Sequence, residues 1–386
     1  MDSPEKGDPG PSVLDFDDSE LQGFISSCDF DGIPRKLQRY EQAKARSVQF
    51  ADSAMELLES QTLYDFGLMD RLRKVRCCAQ ILSVERWYDS GSFRISSPFW
   101  CNQHLLCALC AVRRSSRLLS RAIRRLAVVD DCIGLSHMHL YFLTLTVKSS
   151  DDLREVFDHI KGAFAFMRTA RKSRHHATVF KCISGAMYSI EIIRGKNGQW
   201  HPHIHMLIAT YDPLPLEQVD RGARADGTRD VWWRWPALQD EWLAVTGDSH
   251  YVDCRPVVAT GADSLVPVCC EVFKYAMKFA SLDPADRLEA YRVVTGPPRC
   301  MLSRCMGEFY GLGIDSPDSK EQWRFDQACA QEGAGDSQRL EFNTRYGLYE
   351  LQSLDVVIPR TVAGSSVGEV MCDAAEVVCD PADIPF

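Results

Sequence analysis

The chain has 386 residues, 45% of them hydrophobic, with 44 Lys and Arg against 53 Asp and Glu and a formal net charge of −9. That length suits one large or two medium domains with tails, and no apolar run reaches the roughly 18 to 20 residues that a membrane span needs. The 16 cysteines are spread along a chain whose polar, Pro/Gly-rich start is read as no secretory signal. They are therefore expected as thiols or metal ligands in a reducing, cytoplasmic compartment, which excludes a disulfide framework.

Taken in chain order, residues 1–63 carry turn formers and few apolar periodicities. They are expected to be a mostly flexible arm in which "RKLQRYEQAKARSVQFADSAMELLES" can become helical. Residues 64–129 form a Cys- and Arg-rich module. Within it, "CNQHLLCALC" sets Cys101, His104, Cys107 and Cys110 at short spacing, with Cys77 and Cys78 upstream. A C-x-x-C with further cysteines nearby is the pattern of a structural Zn²⁺ site. Cys107, Cys110, Cys101 and one of Cys77 or Cys78 are the expected ligands, with His104 in reserve.

The cysteines lead directly into "VRRSSRLLSRAIRRLAVV", a stretch without a single acid. At helical spacing Arg113, Arg114, Arg117, Arg121, Arg124 and Arg125 make a basic stripe opposite an apolar one, which suits the phosphates of a nucleic acid. Arg168, Arg171, Lys172 and Arg174 are a second basic set. The net charge misleads here, because charge is polarised along the chain. From Arg71 to His205 there are 22 Lys and Arg against 9 Asp and Glu, which leaves about −22 for the remainder.

Residues 130–313 alternate between strand and helix patterns. "HLYFLTLTVKS" (His139–Ser149) reads as a strand, and "LREVFDHIKGAFAFMRTARKSR" has helical spacing. "GAMYSIEIIRGKNGQWHPHIHMLIA" reads as a β-hairpin turning at "GKNG". Its second strand puts His201, His203 and His205 on one face and Ile204, Met206 and Ile208 on the other. Neutral imidazoles crowded in this way suit a divalent metal. Glu191, the one acid on its face of the partner strand, is the candidate third ligand, because cross-strand neighbours lie about 5 Å apart. A mixed nitrogen and oxygen set suits Mn²⁺ or Mg²⁺ acting on a phosphate, with Zn²⁺ as another option. "LQDEWLAVTG" is read as a helix and "YVDCRPVV" as a short strand.

"PVCCEVFKYAMKFASL" is helical by pattern. Glu271, Tyr275 and Lys278 share one face of it, while Val272, Phe273, Ala276 and Ala280 anchor the other. A tyrosine between a carboxylate and an ammonium has the surroundings of a nucleophile. Residues 314–386 are expected to be a C-terminal extension, ending from Glu350 in a disordered acidic tail. No phosphate-loop pattern occurs, since "RGKNG" is a hairpin turn.

These pieces, in this order, resemble the rolling-circle replication initiators of small bacterial plasmids, within the HUH endonuclease superfamily. "FLTLTV" resembles that family's first motif, "WHPHIHML" its metal motif, and "EVFKYAMK" its tyrosine motif, while the cysteines leading into "RRS" resemble its upstream cysteine region. The resemblance spans roughly Arg76 to Gly313. It implies an α+β fold, a palm with a central antiparallel β-sheet flanked by helices, joined to the Cys-rich zinc-binding and basic helical module.

The implied metal ligands are His203 and His205, with Glu191, around Mn²⁺ or Mg²⁺; His201 has no assigned role. Tyr275 is the implied nucleophile toward single-stranded or hairpin origin DNA, leaving a 5′-phosphotyrosyl link and a 3′-OH primer. Lys278 orients the phosphate or the phenolate, and Glu271 activates water for the terminating cleavage. With no motor of its own, such a protein draws on a host helicase and polymerase. A single-tyrosine HUH transposase is the alternative within the enzyme class, and a non-catalytic zinc-stabilised DNA-binding regulator the alternative outside it.

Overall fold

In the computed structural model the described residues are 32–60, 65–86, 93–97, 99–195, 197–223, 229–297, 301–310, 337–345 and 348–351. The first part contains helices α1 (Gly32–Glu59) and α2 (Phe66–Cys77), strands β1 (Ile81–Arg86) and β2 (Phe93–Ser96), and the long helix α3 (Ala108–Cys132). The middle follows with β3 (His139–Thr146), α4 (Leu153–Lys172), β4 (Ile183–Arg194), β5 (Trp200–Thr210), β6 (Glu217–Ala223) and β7 (Arg229–Arg234). Then come α5 (Pro236–Thr246), β8 (Val252–Val257), α6 (Val266–Phe273), α7 (Tyr275–Ala280), α8 (Pro284–Thr295) and β9 (Ser303–Gly307). Strands β10 (Ser337–Asn343) and β11 (Leu348–Leu351) close the order.

A five-stranded sheet, ordered β8-β3-β5-β4-β9 with all four strand pairs antiparallel, is the centre of the molecule. The chain is thus α+β with a central antiparallel sheet and flanking helices. Alternation in β3, β4 and β5 gives the sheet two faces. Leu143, Leu145, Tyr188, Ile190, Ile204 and Met206 bury one of them together with Val156, Phe157 and Phe164 of α4. Leu140, Met187, Leu207 and Ala209 bury part of the other under Leu119 and Leu126 of α3 and Cys269, Val272 and Phe273 of α6. The rest of that second face carries the histidines. Gly307 ends β9 at a φ of +63°, where a Cβ would lie 1.9 Å from the Ser184 carbonyl oxygen. Only glycine lets this edge strand approach so closely.

A smaller sheet, ordered β11-β10-β1-β2, belongs to the cysteine module. Two expectations are corrected by it and by its surroundings. The segment after Gly313 was expected to lack order, yet β10 pairs with β1 from Ile81↔Glu341 to Glu85↔Ser337. Residues 1–63 were expected to be a mostly flexible arm with a possible helix; that helix is α1, and it is packed, burying Tyr40, Ala43, Phe50, Ala51, Ala54 and Leu58. Lys44 and Ser47 are also fully buried in the same stripe. Those two polar positions interrupt the apolar period and hide the buried face of the helix from a pattern reading. The first 31 residues and the acidic tail beyond Leu351 lie outside the described residues.

Candidate metal centres and the helix pair

Register assembles the histidine face. Glu191 on β4 pairs with His203 on β5, and Ser189 with His205. Across the other edge of β5, His203 pairs with Thr146 and His205 with Thr144, which itself pairs with Asp253 of β8. Directly paired residues share a face, so one row runs Asp253, Thr144, His205, Ser189 and the next runs Thr146, His203, Glu191.

His205 is held at both nitrogens: Nε2 is 2.8 Å from Glu191 Oε2 and Nδ1 is 3.2 Å from Thr144 Oγ1. An ionised carboxylate only accepts, so Nε2 carries a proton toward Glu191, while Nδ1 faces the Thr144 hydroxyl. Phe142 stacks on the same ring at 5.5 Å between centroids. The rings of His203 and His205 stack at 5.8 Å, and His201, hydrogen-bonded to Ser149 Oγ at 2.9 Å, sits edge-on to His203.

Electrostatics keep this cluster ready for a cation. Burial, with His201 nearby, lowers His203 to about 3. The ring is therefore neutral at physiological pH, as a metal ligand must be. Burial pushes the Glu191 carboxyl up, but the hydrogen bond from His205, with the Lys274 ammonium nearby, holds it below its ordinary range. Two ligands about 2.1 Å from a hard cation in cis positions stand about 3 Å apart. The His205–Glu191 contact has that spacing, with the Nε2 proton in the place of the ion. His203 does not close the set: among the described residues the one group with three or more ligand atoms all within 4.8 Å is made of cysteines. A three-ligand site here needs rotation of the His203 side chain.

The single long helix read from the sequence is two, α6 and α7, separated at Lys274. The Ser189 hydroxyl donates to the Val272 carbonyl oxygen. A side chain inserted into the helix ladder occupies an acceptor the ladder would use, and helices break at such points. Ser189, unremarked in the sequence, thus ties the histidine row to the break that precedes Tyr275. The tyrosine heads α7, which packs against α3 and β4; its side chain lies outside the described residues. Glu271 pairs with Lys274 Nζ at 2.5 Å rather than aligning with the tyrosine on one unbroken face. Lys274 was also missed, and its charge acts on both Glu191 and His203. Lys278 is half-buried on α7.

The cysteines make a second centre. Cys78, Cys101, Cys107 and Cys110 are buried with their sulfurs within 4.8 Å of one another. Cys110 Sγ is 3.6 Å from both Cys78 Sγ and Cys101 Sγ. Tetrahedral bonds of about 2.3 Å place sulfurs about 3.8 Å apart, so the cluster has the size of a mononuclear tetrathiolate site. Cys77 ends α2 and is exposed. The backbone turns extended at Cys78 and then to a φ of +49° at Ala79, which sends the two adjacent thiols apart. His104 takes no part in the cluster.

Backbone N–H groups point at the sulfurs: Cys101 N lies 3.4 Å from Cys78 Sγ, and Cys110 N lies 3.4 Å from Cys107 Sγ at the N-terminus of α3. Burial pushes the Cys107 thiol up, but hydrogen bonds from Cys101, Cys110 and Cys78 outweigh it and hold Cys107 well below its ordinary value. The neighbouring thiols and burial push Cys101 up.

At about 100° per residue the six arginines of α3 fall within an arc of about 120°. Ser115, Leu119, Ala122 and Leu126 are buried on the opposite side. Arg117 and Arg124 are exposed, while Arg113 stacks over Trp100 at 3.6 Å and Arg125 Nη1 contacts Cys305 Sγ at 2.7 Å. Arg168 donates to the Tyr188 hydroxyl and Arg171 to the Ile183 carbonyl, so these two members of the second basic set are anchored in the fold.

Compared with known proteins, residues 92–212 match the model of a family described as "Replication protein". A relative named "Protein rep", from Lentilactobacillus hilgardii, is 22% identical over 279 residues, 67% of this chain and 75% of its own length. No solved structure gives a significant match. The two matches bear out the resemblance to replication initiator proteins that the motifs suggest.

Proposed function

We propose, from the premise that this chain is a plasmid replication initiator (Rep) protein, that it nicks and rejoins single-stranded or hairpin origin DNA through a tyrosine. The observation that carries this reading is a row of imidazoles beside the buried Glu191 carboxylate, on the sheet face covered by the helix pair that includes Tyr275.

His203, His205 and Glu191 would hold a divalent cation of the Mn²⁺ or Mg²⁺ class, which supplies Lewis-acid polarisation of the scissile phosphate. The Tyr275 phenol gives up its proton to solvent and attacks phosphorus, the O–P bond to the 5′-phosphate forms as the P–O3′ bond breaks, and the 3′ oxygen takes a proton back from solvent to leave as the hydroxyl that primes synthesis. Lys278 and Lys274 supply positive charge where the phosphoryl oxygens gain negative charge. Glu271, one turn before the tyrosine and paired with Lys274, takes the proton of the water that ends the cycle.

The arginine arc of α3 neutralises DNA phosphates, and the four cysteines bind structural zinc. A host helicase and polymerase would extend the primer. The test is a nicking assay on supercoiled plasmid with Mn²⁺ or Mg²⁺, followed by mass spectrometry of the 5′ end. A tyrosine–nucleotide adduct at Tyr275 is expected. An adduct of undiminished yield in Tyr275→Phe would remove this residue from the reaction.

A further inference from the structure

Two buried cations, Lys44 on α1 and Arg287 on α8, have no acidic partner among the described residues. Lys44 is 0% exposed, and Arg287 is 1% exposed. Lys44 Nζ donates to the Arg76 carbonyl at 2.5 Å and lies 5.5 Å from the Phe342 ring centroid. Arg287 donates through Nε to the Leu105 carbonyl at 3.0 Å and through Nη1 to the Ala280 carbonyl at 3.3 Å. Its guanidinium lies 4.1 Å over Phe50, and its Nη2 has no hydrogen-bond partner. Among the described residues neither cation meets a carboxylate. Buried charge without an opposite charge is costly enough that folds rarely keep it.

The anions are the cysteines. Leu105 lies in the loop between Cys101 and Cys110, Arg76 is two residues before Cys78, and Ser47, one turn beyond Lys44, places its hydroxyl 3.6 Å from Cys107 Sγ. A dication bound by four thiolates keeps two residual negative charges. Lys44 and Arg287 match them one for one. A pair of disulfides would be neutral and would leave both cations uncompensated, so the charge pattern selects a tetrathiolate metal over oxidised sulfur.

Arg287 does more than neutralise. One of its carbonyl partners belongs to the cysteine loop, and the other, Ala280, is the last residue of α7. We infer that Lys44 and Arg287 are the counter-cations of a tetrathiolate metal site, and that Arg287 is the positioning residue through which the filled site holds the helix headed by Tyr275. The second half rests on the nickase reading of Tyr275; the first half does not. In this arrangement, metal loading in one core sets the location of the nucleophile helix beside another.

The test uses the purified full-length chain. Bound zinc is counted by mass spectrometry, its release is followed with a chromophoric chelator, and adduct formation is measured on single-stranded oligonucleotides tiling the DNA that flanks the gene. Lys44→Met and Arg287→Met are expected to release zinc at least tenfold faster than the parent chain. Release at the parent rate would overturn the charge assignment.

Arg287→Lys keeps the charge but cannot span both carbonyls. It is expected to retain zinc while forming adduct at least tenfold more slowly, and an unchanged adduct rate would overturn the positioning role. If the Met variants do not fold, chelator titration of the parent chain replaces them. Adduct formation should then fall in step with zinc content, and full activity in the zinc-free chain would sink the coupling. An adduct that survives Tyr275→Phe would instead defeat the nickase reading, while the zinc-release result would stand by itself.

Discussion

The cysteine cluster and the histidine face are both assembled from metal-binding side chains, yet they are finished to different degrees. Four sulfurs lie within 4.8 Å of one another inside a closed core, braced by N–H groups and flanked by buried cations. The imidazoles and Glu191 share a sheet face without converging. The difference is the one that the proposed function calls for. A structural site is complete when the chain folds, whereas a site that acts on a phosphate keeps positions open for it.

The largest effect that would sharpen this contrast is removal of the metal from the cysteines. Structural zinc contributes on the order of 10 kcal/mol of apparent folding free energy, so chelation or Cys107→Ala is expected to unfold α1 and the small sheet. Far-UV circular dichroism with a thermal melt reads this, and Cys77→Ser, at the exposed neighbour, should melt like the parent chain. On the other face, His205→Ala leaves the Glu191 carboxylate buried without its partner. That is expected to cost about 3 kcal/mol and to abolish nicking, with denaturant midpoints and the nicking assay as readouts. A variant with full nicking would break the comparison, since the histidine face would then carry no catalytic role.

A smaller effect is a pH dependence confined to the histidine side. Burial holds folded His203 at about 3, against 6.5 for an ordinary imidazole. The unfolded chain then binds a proton that the folded chain refuses, and stability falls as pH drops from about 6.5 toward 3. Urea midpoints should be lower at about pH 5 than at about pH 7 in metal-free buffer, and His203→Gln should flatten that slope. Smallest of all, Thr144→Val removes the hydroxyl at His205 Nδ1. A loss of about 1 kcal/mol is expected, together with a 10- to 100-fold weaker affinity for Mn²⁺ by titration calorimetry, because such partners orient the ring.

Four strands of the five-stranded sheet were readable because they alternate or run apolar, and the shared face of His203, His205 and Glu191 follows from period two and hairpin pairing; the edge strand β9 was not. Three further features were not readable. The packing of helix α1 was concealed, though the helix itself was allowed for, because Lys44 and Ser47 occupy buried positions of its stripe. Strand β10 was concealed because its partner β1 lies more than 250 residues upstream in sequence. The break before Tyr275 was concealed because its cause, the Ser189 hydroxyl, comes from a different element.

The sequence alone determined what its local chemistry encodes: which residues alternate, which cysteines are close enough in the chain to bind one ion, and that arginines without acids line one helix face. Tertiary structure decided everything set by contacts between distant segments. It chose Cys78 over Cys77, brought Lys274 into electrostatic reach of the histidines, and buried Lys44 and Arg287 beside the thiols. Side-chain periodicity is a property of neighbours along the chain, whereas charge compensation and ligand closure depend on distances that exist only after the segments have packed together.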